Sequence, residues 1–492
     1  MGQYGRENSL YMLKDASYRP EIDGLRTVAV LPVILFHLGS AQIKGGYYGV
    51  DVFFVISGYL ITKILVSNIQ NGSFSMFQFW LKRIKRLIPL LLTVIAFVLV
   101  SSFWLYKPET KSLAHDIFPA LFSYFNFHAV FNFGSYWGRE AEASFFLHTW
   151  SLSVEEQFYL LYPSFLLLAR KYFKGFVVPL LLLTVTSLGL FLVGLSIAPN
   201  LAFFSLPARA WELGVGGLAV FMNAKWRNDA VSKVLSFIGI LLIFLTYFLA
   251  NATLDLFVLA PVFGTFLMVV STSKRDAVGR FLSTKLLVYL GRISYSLYLW
   301  HWVFIALKGR LYYALQDVPT QALHFGILVA TLLFSIASYH FVERTTRYHH
   351  QTPKWILGGV VLISGATLYL KSDSFSASYD SGFNKSSFYG LYYDITPSQS
   401  LLVDWLNETN VLFGVNAPER PEHLSNAFKE MGIGTMTDDP TTSRVLLLGD
   451  SHGAMWAKLL ENLSKDRNFV LSCYTSNGTK PFFNIHEPNS QE

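Results

Sequence analysis

The chain has 492 residues, of which 52% are hydrophobic and 16% aromatic, whereas only 14% are charged. Soluble domains carry about 25% charged residues, so this composition excludes a chain that is water-soluble over its whole length. The single cysteine, Cys473, excludes an intrachain disulfide and a cysteine-rich metal site.

Charge divides the chain into two unlike parts. Residues 1–371 contain 31 Lys and Arg against 17 Asp and Glu, while residues 372–492 contain 8 against 15. The cations of the first part come in small clusters between apolar stretches, which is typical of loops at a membrane surface and not of a nucleic-acid groove. We therefore expect a membrane-embedded part followed by a polar part, with no nucleic-acid partner.

Eleven apolar stretches of the first part are long enough to cross about 30 Å of hydrocarbon. Cations concentrate in alternate connections, beginning with the N-terminal one, so the positive-inside rule places the N-terminus in the cytoplasm. An odd number of spans then places everything after Lys371 on the opposite side. The stretch 112–133 is amphipathic and aromatic-rich, and we expect it at the membrane interface. The expected spans are 25–41, 49–67, 87–106, 148–169, 175–195, 203–222, 233–250, 254–272, 286–306, 322–342 and 354–371.

Ionisable side chains inside these stretches need an offsetting role, because a charge at the centre of a span costs on the order of 3 kcal/mol. Arg26 and His37 are eleven residues apart, which places them on one helical face about 16 Å apart along the axis. Asp51 enters the second stretch from the outer side, where it can meet His37. A lone histidine on an apolar face is more often a hydrogen-bonded core residue, but the spacing to Arg26 and the nearby acid favour a functional role.

Further polar groups repeat this pattern along the chain. Arg83 and Arg86 lie on one helical face, where paired forked donors suit phosphate groups, although the cluster also fits a positive-inside anchor. His148 and Glu155 share a face of the fourth stretch, and Glu156 adds a second acid that packing does not explain.

Two later motifs allow a functional and a structural interpretation. Arg209 and Glu212 form an i,i+3 pair that either serves a site or only neutralises itself. Arg292 and His301 lie in an aromatic-rich stretch that also fits an aromatic belt at the membrane interface.

Together these motifs resemble the membrane-bound acyltransferase-3 family, in the form that is fused to an extracytoplasmic SGNH-like domain. The resemblance implies an all-α polytopic membrane bundle of about ten core transmembrane helices plus one linking helix, followed by a partial α/β SGNH-hydrolase-like domain. The motifs that carry it are Arg26 with His37, the glycine-rich block 45–58, the block Phe79–Pro89, the block Trp150–Gln157, Arg209 with Glu212, and the block 291–301.

Members of this family are similar in O-acylating carbohydrates, commonly bacterial surface polysaccharides such as lipopolysaccharide O-antigen. The resemblance therefore implies an O-acetyltransferase of the bacterial inner membrane that uses acetyl-CoA as donor, a glycan as acceptor and no metal. Because acetyl-CoA is a polyanion, its phosphates should stay near the cytoplasmic cations.

Roles follow for the residues that match the motifs. His37 would act as general base or as transient acyl carrier, with one of three carboxylates orienting its ring. Which carboxylate does so is left open by the sequence. The candidate catalytic residues are His37, Asp23, Asp51, Glu155 and Ser451, and the candidate donor-binding residues are Arg26, Arg83, Arg86 and Arg292.

Ser451 belongs to the polar part of the chain. Val445–Leu448 is typical of a buried strand, and the sequence Gly-Asp-Ser-His-Gly at 449–453 precedes an amphipathic helix from Ala454. A strand, a sharp turn with a serine and a helix form the usual setting of an exposed nucleophile. Gly-Asp-Ser-His resembles the first block of SGNH hydrolases, which makes Ser451 the expected nucleophile.

One feature departs from the SGNH pattern. An Asp-X-X-His pair supplies the base in such domains, and neither His452 nor His486 has an aspartate three residues before it. We therefore expect an incomplete SGNH-like domain. The expected organisation is an acyltransferase-3 transmembrane domain (1–342), a linking transmembrane helix (343–371), a periplasmic linker or extension (372–440) and the first part of an SGNH-like domain (441–492).

Two other functions are compatible with the sequence. Charges embedded in a membrane also mark substrate paths, so a transporter or flippase of acyl or lipid-linked sugar groups is one alternative. An inactive remnant is the other, because the Asp-X-X-His pair is missing.

Overall fold

The computed structural model describes residues 18–105, 110–133, 136, 144–222, 230–250, 255–273, 276–311, 315 and 318–371, and two strands, 443–449 and 469–475. The chain divides into two compact units, residues 1–375 and 376–492. The first unit is helical in its described residues, which confirms the expected all-α bundle.

The first half of this unit follows the predicted order of spans. Between the third and fourth spans, two short helices replace the single amphipathic stretch expected at 112–133. The helices are α1 Pro20–His37, α2 Gly49–Gln70, α3 Met76–Leu105, α4 Thr110–Leu121, α5 Phe125–Asn132, α6 Thr149–Phe173, α7 Val177–Ile197, α8 Pro199–Phe204 and α9 Leu206–Ala219.

The second half contains the remaining spans. The stretch expected at 286–306 is divided at Ile293, so that Arg292 ends a short amphipathic helix instead of lying within a span. The helices are α10 Ala230–Leu249, α11 Leu259–Ser271, α12 Ala277–Leu282, α13 Lys285–Arg292, α14 Ser294–Arg310, α15 Thr320–Ser338, α16 Arg344–Tyr348 and α17 Thr352–Lys371, with a π-helical turn at Tyr339–Glu343.

Helices lie at all eleven expected spans. Within the described ranges, six are long and apolar enough to cross a membrane by length and composition alone. The others are shorter, less apolar or more charged, because they carry the polar groups discussed below. The six are Gly46–Gln70, Met76–Ser102, Val177–Ile197, Ala230–Leu249, Thr320–Tyr348 and Thr352–Lys371.

Glycines allow the closest helix crossings of the bundle. A Cβ atom on Gly58 of α2 would lie 1.9 Å from the carbonyl oxygen of Leu213, and one on Gly216 of α9 would lie 2.0 Å from that of Val55. Since real Cβ atoms do not approach so closely, α2 and α9 pack backbone to backbone only because both positions are glycine.

Glycine also sets the position of α1. A Cβ atom on Gly291 of α13 would lie 1.7 Å from the carbonyl oxygen of Asp23, and one on Gly24 would lie 1.9 Å from that of Leu282. Pro20 occupies the first turn of α1, where the missing N–H costs no helical hydrogen bond. The N-terminal end of α1, which carries Arg26, is therefore held tightly against α12 and α13.

Two parallel strands are described in the second unit. β1, Ser443–Gly449, contains the strand predicted at Val445–Leu448, and it pairs with β2, Phe469–Thr475. Parallel neighbours need a crossover connection of a dozen or more residues, which the intervening segment supplies. Ser451 and the rest of the predicted nucleophile turn lie outside the described residues.

The crossing of α2 and α9 generates a stability prediction. Replacing Gly58 with alanine inserts a methyl group against the backbone of α9, and we expect a loss of about 1–3 kcal/mol from overpacking. Gly189→Ala is the matched control, because that α7 glycine has nothing within 4 Å of its added Cβ. Thermal unfolding of both purified variants in detergent measures the difference, and equal midpoints would contradict the predicted contact.

Candidate functional site

A cavity of about 790 Å³, part of which is open to solvent, lies among α1, α2, α3, α6 and α14. Three of the predicted donor-binding residues line it together, namely Arg26 of α1 and Arg83 and Arg86 of α3. The structure thus brings together cations that are more than fifty residues apart in the sequence.

The arginines of the cavity are only partly neutralised by the protein. Arg26 Nη1 lies 3.5 Å from Asp23 Oδ1, and the guanidinium of Arg83 lies 5.7 Å from the ring of Tyr159. Within the described part of the chain, neither Arg83 nor Arg86 forms an ion pair with a carboxylate. Positive charge is therefore available to an anionic ligand in the cavity.

Glu155 lines the same cavity from α6. The Ser57 hydroxyl donates a hydrogen bond of 2.9 Å to one carboxylate oxygen of Glu155, and the Tyr159 hydroxyl donates one of 2.8 Å to the other. Both oxygens are occupied, so Glu155 is anchored in the wall of the cavity. The adjacent Glu156 instead accepts a hydrogen bond from Ser123.

His37 is the last residue of α1. Its Nδ1 lies 3.2 Å from His301 Nε2, and its Nε2 lies 2.8 Å from the hydroxyl of Tyr136. The ring of Trp302 packs edge-on at 4.9 Å. No hydrogen bond joins His37 to a carboxylate among the described residues, so the structure differs here from the expectation that an acid orients this ring.

The three candidate carboxylates are engaged elsewhere. Asp51 accepts a hydrogen bond of 2.9 Å from Arg209, which also donates one of 2.7 Å to Glu212. Side chains in this cluster are at most 2% exposed. Asp51 is in the first turn of α2, and its charge is used to hold an arginine of α9. Arg209 therefore pairs with two acids and does not only neutralise Glu212.

Asp23 belongs to a cluster at the start of α1. The Tyr18 hydroxyl donates a 2.6 Å hydrogen bond to Asp23, and Arg292 donates one of 2.8 Å to the same hydroxyl. Burial and the hydrogen bond to Asp23 raise the pKa of Tyr18. Arg292 is half exposed and does not line the cavity, so the structure separates it from the other three donor-binding candidates.

His148 is a buried ring beside His37 and the cavity. Neither ring nitrogen has a hydrogen-bond partner in the described structure, and the ring centroid lies 6.0 Å from that of His301. The His148 carbonyl accepts a 2.9 Å hydrogen bond from the hydroxyl of Tyr298, whose side chain lines the cavity. Tyr298 therefore connects the cavity with the histidines.

Sequence reasoning did not single out Tyr136 or Glu343. Tyr136 is one of many aromatic residues in this part of the sequence, and no spacing relates it to His37. Glu343 is buried and accepts a hydrogen bond of 3.4 Å from Ser296, but in the sequence it stands beside Arg344 and suggests a surface pair. Only the folded structure distinguishes these two residues from their neighbours.

Comparison with known proteins agrees with this arrangement. A family model described as an acyltransferase domain matches residues 19–340. The chain belongs to the acyltransferase-3 family. The family resemblance inferred from the motifs is thereby confirmed, together with the acyltransferase class that it implies. The matched region contains the cavity, the histidines and the Arg209 cluster.

Two curated relatives show the extent of the similarity. The peptidoglycan O-acetyltransferase OatA of Listeria monocytogenes is 32% identical over 354 residues, which cover 67% of this chain and 56% of that protein. The O-acetyltransferase OatA of Staphylococcus aureus is 32% identical over 349 residues, which cover 67% of this chain and 57% of that protein. The match thus spans little more than half the length of these relatives. No solved structure matches the chain.

The buried cluster of Arg209 yields a second stability prediction. Replacing Arg209 with glutamine leaves Asp51 and Glu212 as buried acids without their cation, and removing one partner of such a group costs about 3–5 kcal/mol. Arg292→Gln is the matched control, because its half-exposed ion pair is worth less than about 1 kcal/mol. Thermal unfolding in detergent compares the two, and a small loss for Arg209→Gln would refute the pairing.

Proposed function

We propose that this protein is a membrane O-acetyltransferase that moves an acetyl group from cytoplasmic acetyl-CoA to a hydroxyl of a glycan on the other side of the membrane. The observation that supports it is the cavity lined by Arg26, Arg83 and Arg86, which adjoins a buried histidine cluster through Tyr298. Membership in the acyltransferase-3 family supplies the reaction class.

The donor is inferred from the charge of the cavity. Acetyl-CoA carries phosphates at one end and a neutral thioester at the other. Forked guanidinium donors suit phosphate oxygens, and a thioester enters an apolar bundle at much lower cost than a phosphate. The phosphates would bind the arginines, while the pantetheine arm would extend past Ser151 and Tyr298 towards His37.

His37 supplies the chemistry in this proposal. As a general base, its Nε2 accepts the proton of the acceptor hydroxyl while the new C–O bond forms and the thioester C–S bond breaks. The proton then passes to the departing CoA thiolate, which leaves as the free thiol. As an acyl carrier, the same nitrogen takes the acetyl group from sulfur first and passes it to the hydroxyl in a second step.

The orientation and the acceptor belong to the same proposal. The cation distribution supports an N-terminus in the cytoplasm and a second unit in the periplasm of a Gram-negative type of envelope with an inner membrane. The Listeria relative is named for peptidoglycan, whereas lipopolysaccharide O-antigen is the acceptor first expected from the family. Both are surface glycans with free hydroxyls, and supplying each to the purified protein distinguishes them.

The step assigned to Ser451 completes the transfer. A serine nucleophile in the second unit would take the acetyl group from the bundle and pass it to the glycan. This role rests on the Gly-Asp-Ser-His motif of the sequence alone, and it requires a base that the sequence does not supply as an Asp-X-X-His pair.

Free CoA release tests the first step. Purified protein in lipid vesicles receives acetyl-CoA and glycan, and thiol release is followed with a chromogenic disulfide reagent. We expect His37→Ala to reduce release by about 10²–10⁴-fold, the usual contribution of a general base. In the acyl-carrier route, Ser451→Ala should still release about one CoA per protein, because His37 takes the acetyl group, but the glycan should not be acetylated.

The same assay separates the proposal from its alternatives. A transporter would release no free CoA, and an inactive remnant would release none above the background without protein. Release that is equal for the wild type and His37→Ala would refute the role of His37.

The cavity arginines generate a prediction about donor affinity. Arg83→Gln removes a forked donor from the cavity, and we expect the KM for acetyl-CoA to rise about tenfold or more while kcat changes little. Lys82→Gln is the matched control, because that neighbouring side chain is exposed and lies outside the cavity lining. An equal KM for the two variants would contradict phosphate binding by Arg83.

A further inference from the structure

A carbonyl oxygen determines which nitrogen of a buried histidine carries a proton. His301 is completely buried in α14, and its Nδ1 lies 2.5 Å from the backbone oxygen of Tyr298. A carbonyl oxygen only accepts hydrogen bonds, so the proton of this contact must be on His301 Nδ1. In a neutral imidazole the other nitrogen, Nε2, is then an acceptor without a proton.

The position of the proton on His301 also determines the position of the proton on His37. The Nε2 of His301 faces His37 Nδ1 at 3.2 Å, and an acceptor there requires a proton on His37 Nδ1. The Nε2 of His37 is then the unprotonated, basic nitrogen. It faces the hydroxyl of Tyr136 at 2.8 Å, and this hydroxyl donates to it. One chain of hydrogen bonds thus runs from the Tyr298 carbonyl through both rings to Tyr136.

We propose that His301 is the positioning residue of His37: it fixes the tautomer and ring orientation that leave His37 Nε2 basic and directed at the hydroxyl of Tyr136. This inference rests on the proposed function, because it assigns His301 the task for which a carboxylate was first expected. In metal-binding and catalytic sites, one ring nitrogen of a histidine often donates a hydrogen bond to a backbone carbonyl, which fixes the tautomer and the ring orientation. Here the imidazole of His301 lies between such a carbonyl and His37.

The surroundings of His301 are suited to this task. Its ring and that of His37 have centroids 5.3 Å apart and planes 27° apart, so they are near enough to coplanar for the hydrogen bond between their nitrogens. The Tyr298 hydroxyl is held by Ser151 and by the His148 carbonyl, so the turn of α14 that carries His301 is anchored to α6. Trp302, next in sequence, donates a 2.8 Å hydrogen bond to the Ser144 carbonyl while its ring packs against His37.

Neutral rings are favoured at this place. The described side chains in ring or hydrogen-bond contact with His37 and His301 are histidine, phenylalanine, tyrosine and tryptophan, and none is a carboxylate. Protonating two neighbouring imidazoles to cations with no anion nearby would be unfavourable in free energy in an apolar interior. A transient positive charge on His37 during turnover would instead be shared through the hydrogen bond to His301.

Two substitutions of His301 separate positioning from packing. His301→Gln keeps a hydrogen-bond acceptor near the place of Nε2, whereas His301→Leu fills similar space without one. We expect His301→Leu to lower kcat for CoA release by about 10²-fold or more while the KM for acetyl-CoA changes less than threefold. His301→Gln should recover at least a tenth of the wild-type kcat.

A matched control and a folding check accompany these variants. His340→Gln changes an exposed histidine in the π-helical turn that follows α15, and we expect activity within about twofold of the wild type. Elution volume and thermal midpoint in detergent are measured for each variant, so that a loss of activity through misfolding is recognised. His37→Ala is included as the test of the proposed function itself.

A second measurement does not depend on activity. Nitrogen-15 NMR of histidine-labelled protein in lipid vesicles distinguishes protonated from unprotonated ring nitrogens, and the His37 signals are assigned by their loss in His37→Gln. We expect an unprotonated Nε2 and a protonated Nδ1 on His37 in the wild type. In His301→Leu the signals should change to a mixture of tautomers.

The outcomes distinguish the proposed role of His301 from the proposed function. If His37→Ala is inactive but His301→Leu has wild-type kcat, the role of His301 is refuted and the proposed function stands. A protonated Nε2 on His37 in the wild type, or equal losses in His301→Leu and a folded His301→Gln, would also refute it. Full activity of His37→Ala would instead refute the role of His37, and wild-type CoA release no greater than without protein would overturn the proposed function.

Discussion

The central constraint on this structure is the cost of placing charge inside an apolar bundle, and the described arginines meet it in two different ways. Arg209 is buried completely and is neutralised by Asp51 and Glu212, with a further hydrogen bond of 3.0 Å to the Phe203 carbonyl. Arg83 and Arg86 have no such partners among the described residues and instead face a cavity. One kind of arginine therefore holds helices together, and the other leaves charge available for a ligand.

The buried ion cluster depends on the glycine crossing of α2 and α9. Asp51 and Gly58 are seven residues apart on α2, and Arg209 and Gly216 are seven apart on α9, so each pair shares one helical face. The glycines bring the two backbones into contact, and the same two faces then present the acid and the cation to each other. A larger residue at either glycine would separate the helices and weaken the ion pair together with the packing.

The sequence predicted the parts of this arrangement that local spacing determines. Arg26 and His37 lie on one helix because ten apolar or small residues separate them, and the cation cluster of α3 could be read as a phosphate site from its i,i+3 spacing. The partners of these groups come from distant parts of the chain and were not predictable. The orientation of His37 by His301 joins residues 264 positions apart, and nothing in the spacing of either motif indicates it.

The engagement of Asp51 by Arg209 has a physical explanation. Asp51 and Asp23 are equally far from His37 in the sequence, and an acid beside a histidine is a usual way to orient an imidazole. Arg209 competes for the Asp51 carboxylate although it also pairs with Glu212, because a guanidinium buried in the bundle binds a carboxylate more strongly than a neutral ring does. Once Asp51 is committed to Arg209, another acceptor must hold His37 Nδ1.

A single turn of α14 then links the two halves of the site. Tyr298 presents its side chain to the cavity and its carbonyl to His301, three residues later on the same helix. The chain of hydrogen bonds that holds His37 therefore consists of a backbone carbonyl, two neutral imidazoles and a tyrosine hydroxyl. It does not include the arginines that would hold the phosphates. This separation allows a positively charged cavity and a neutral histidine base to lie close together, because no carboxylate has to neutralise the arginines and also orient the histidine.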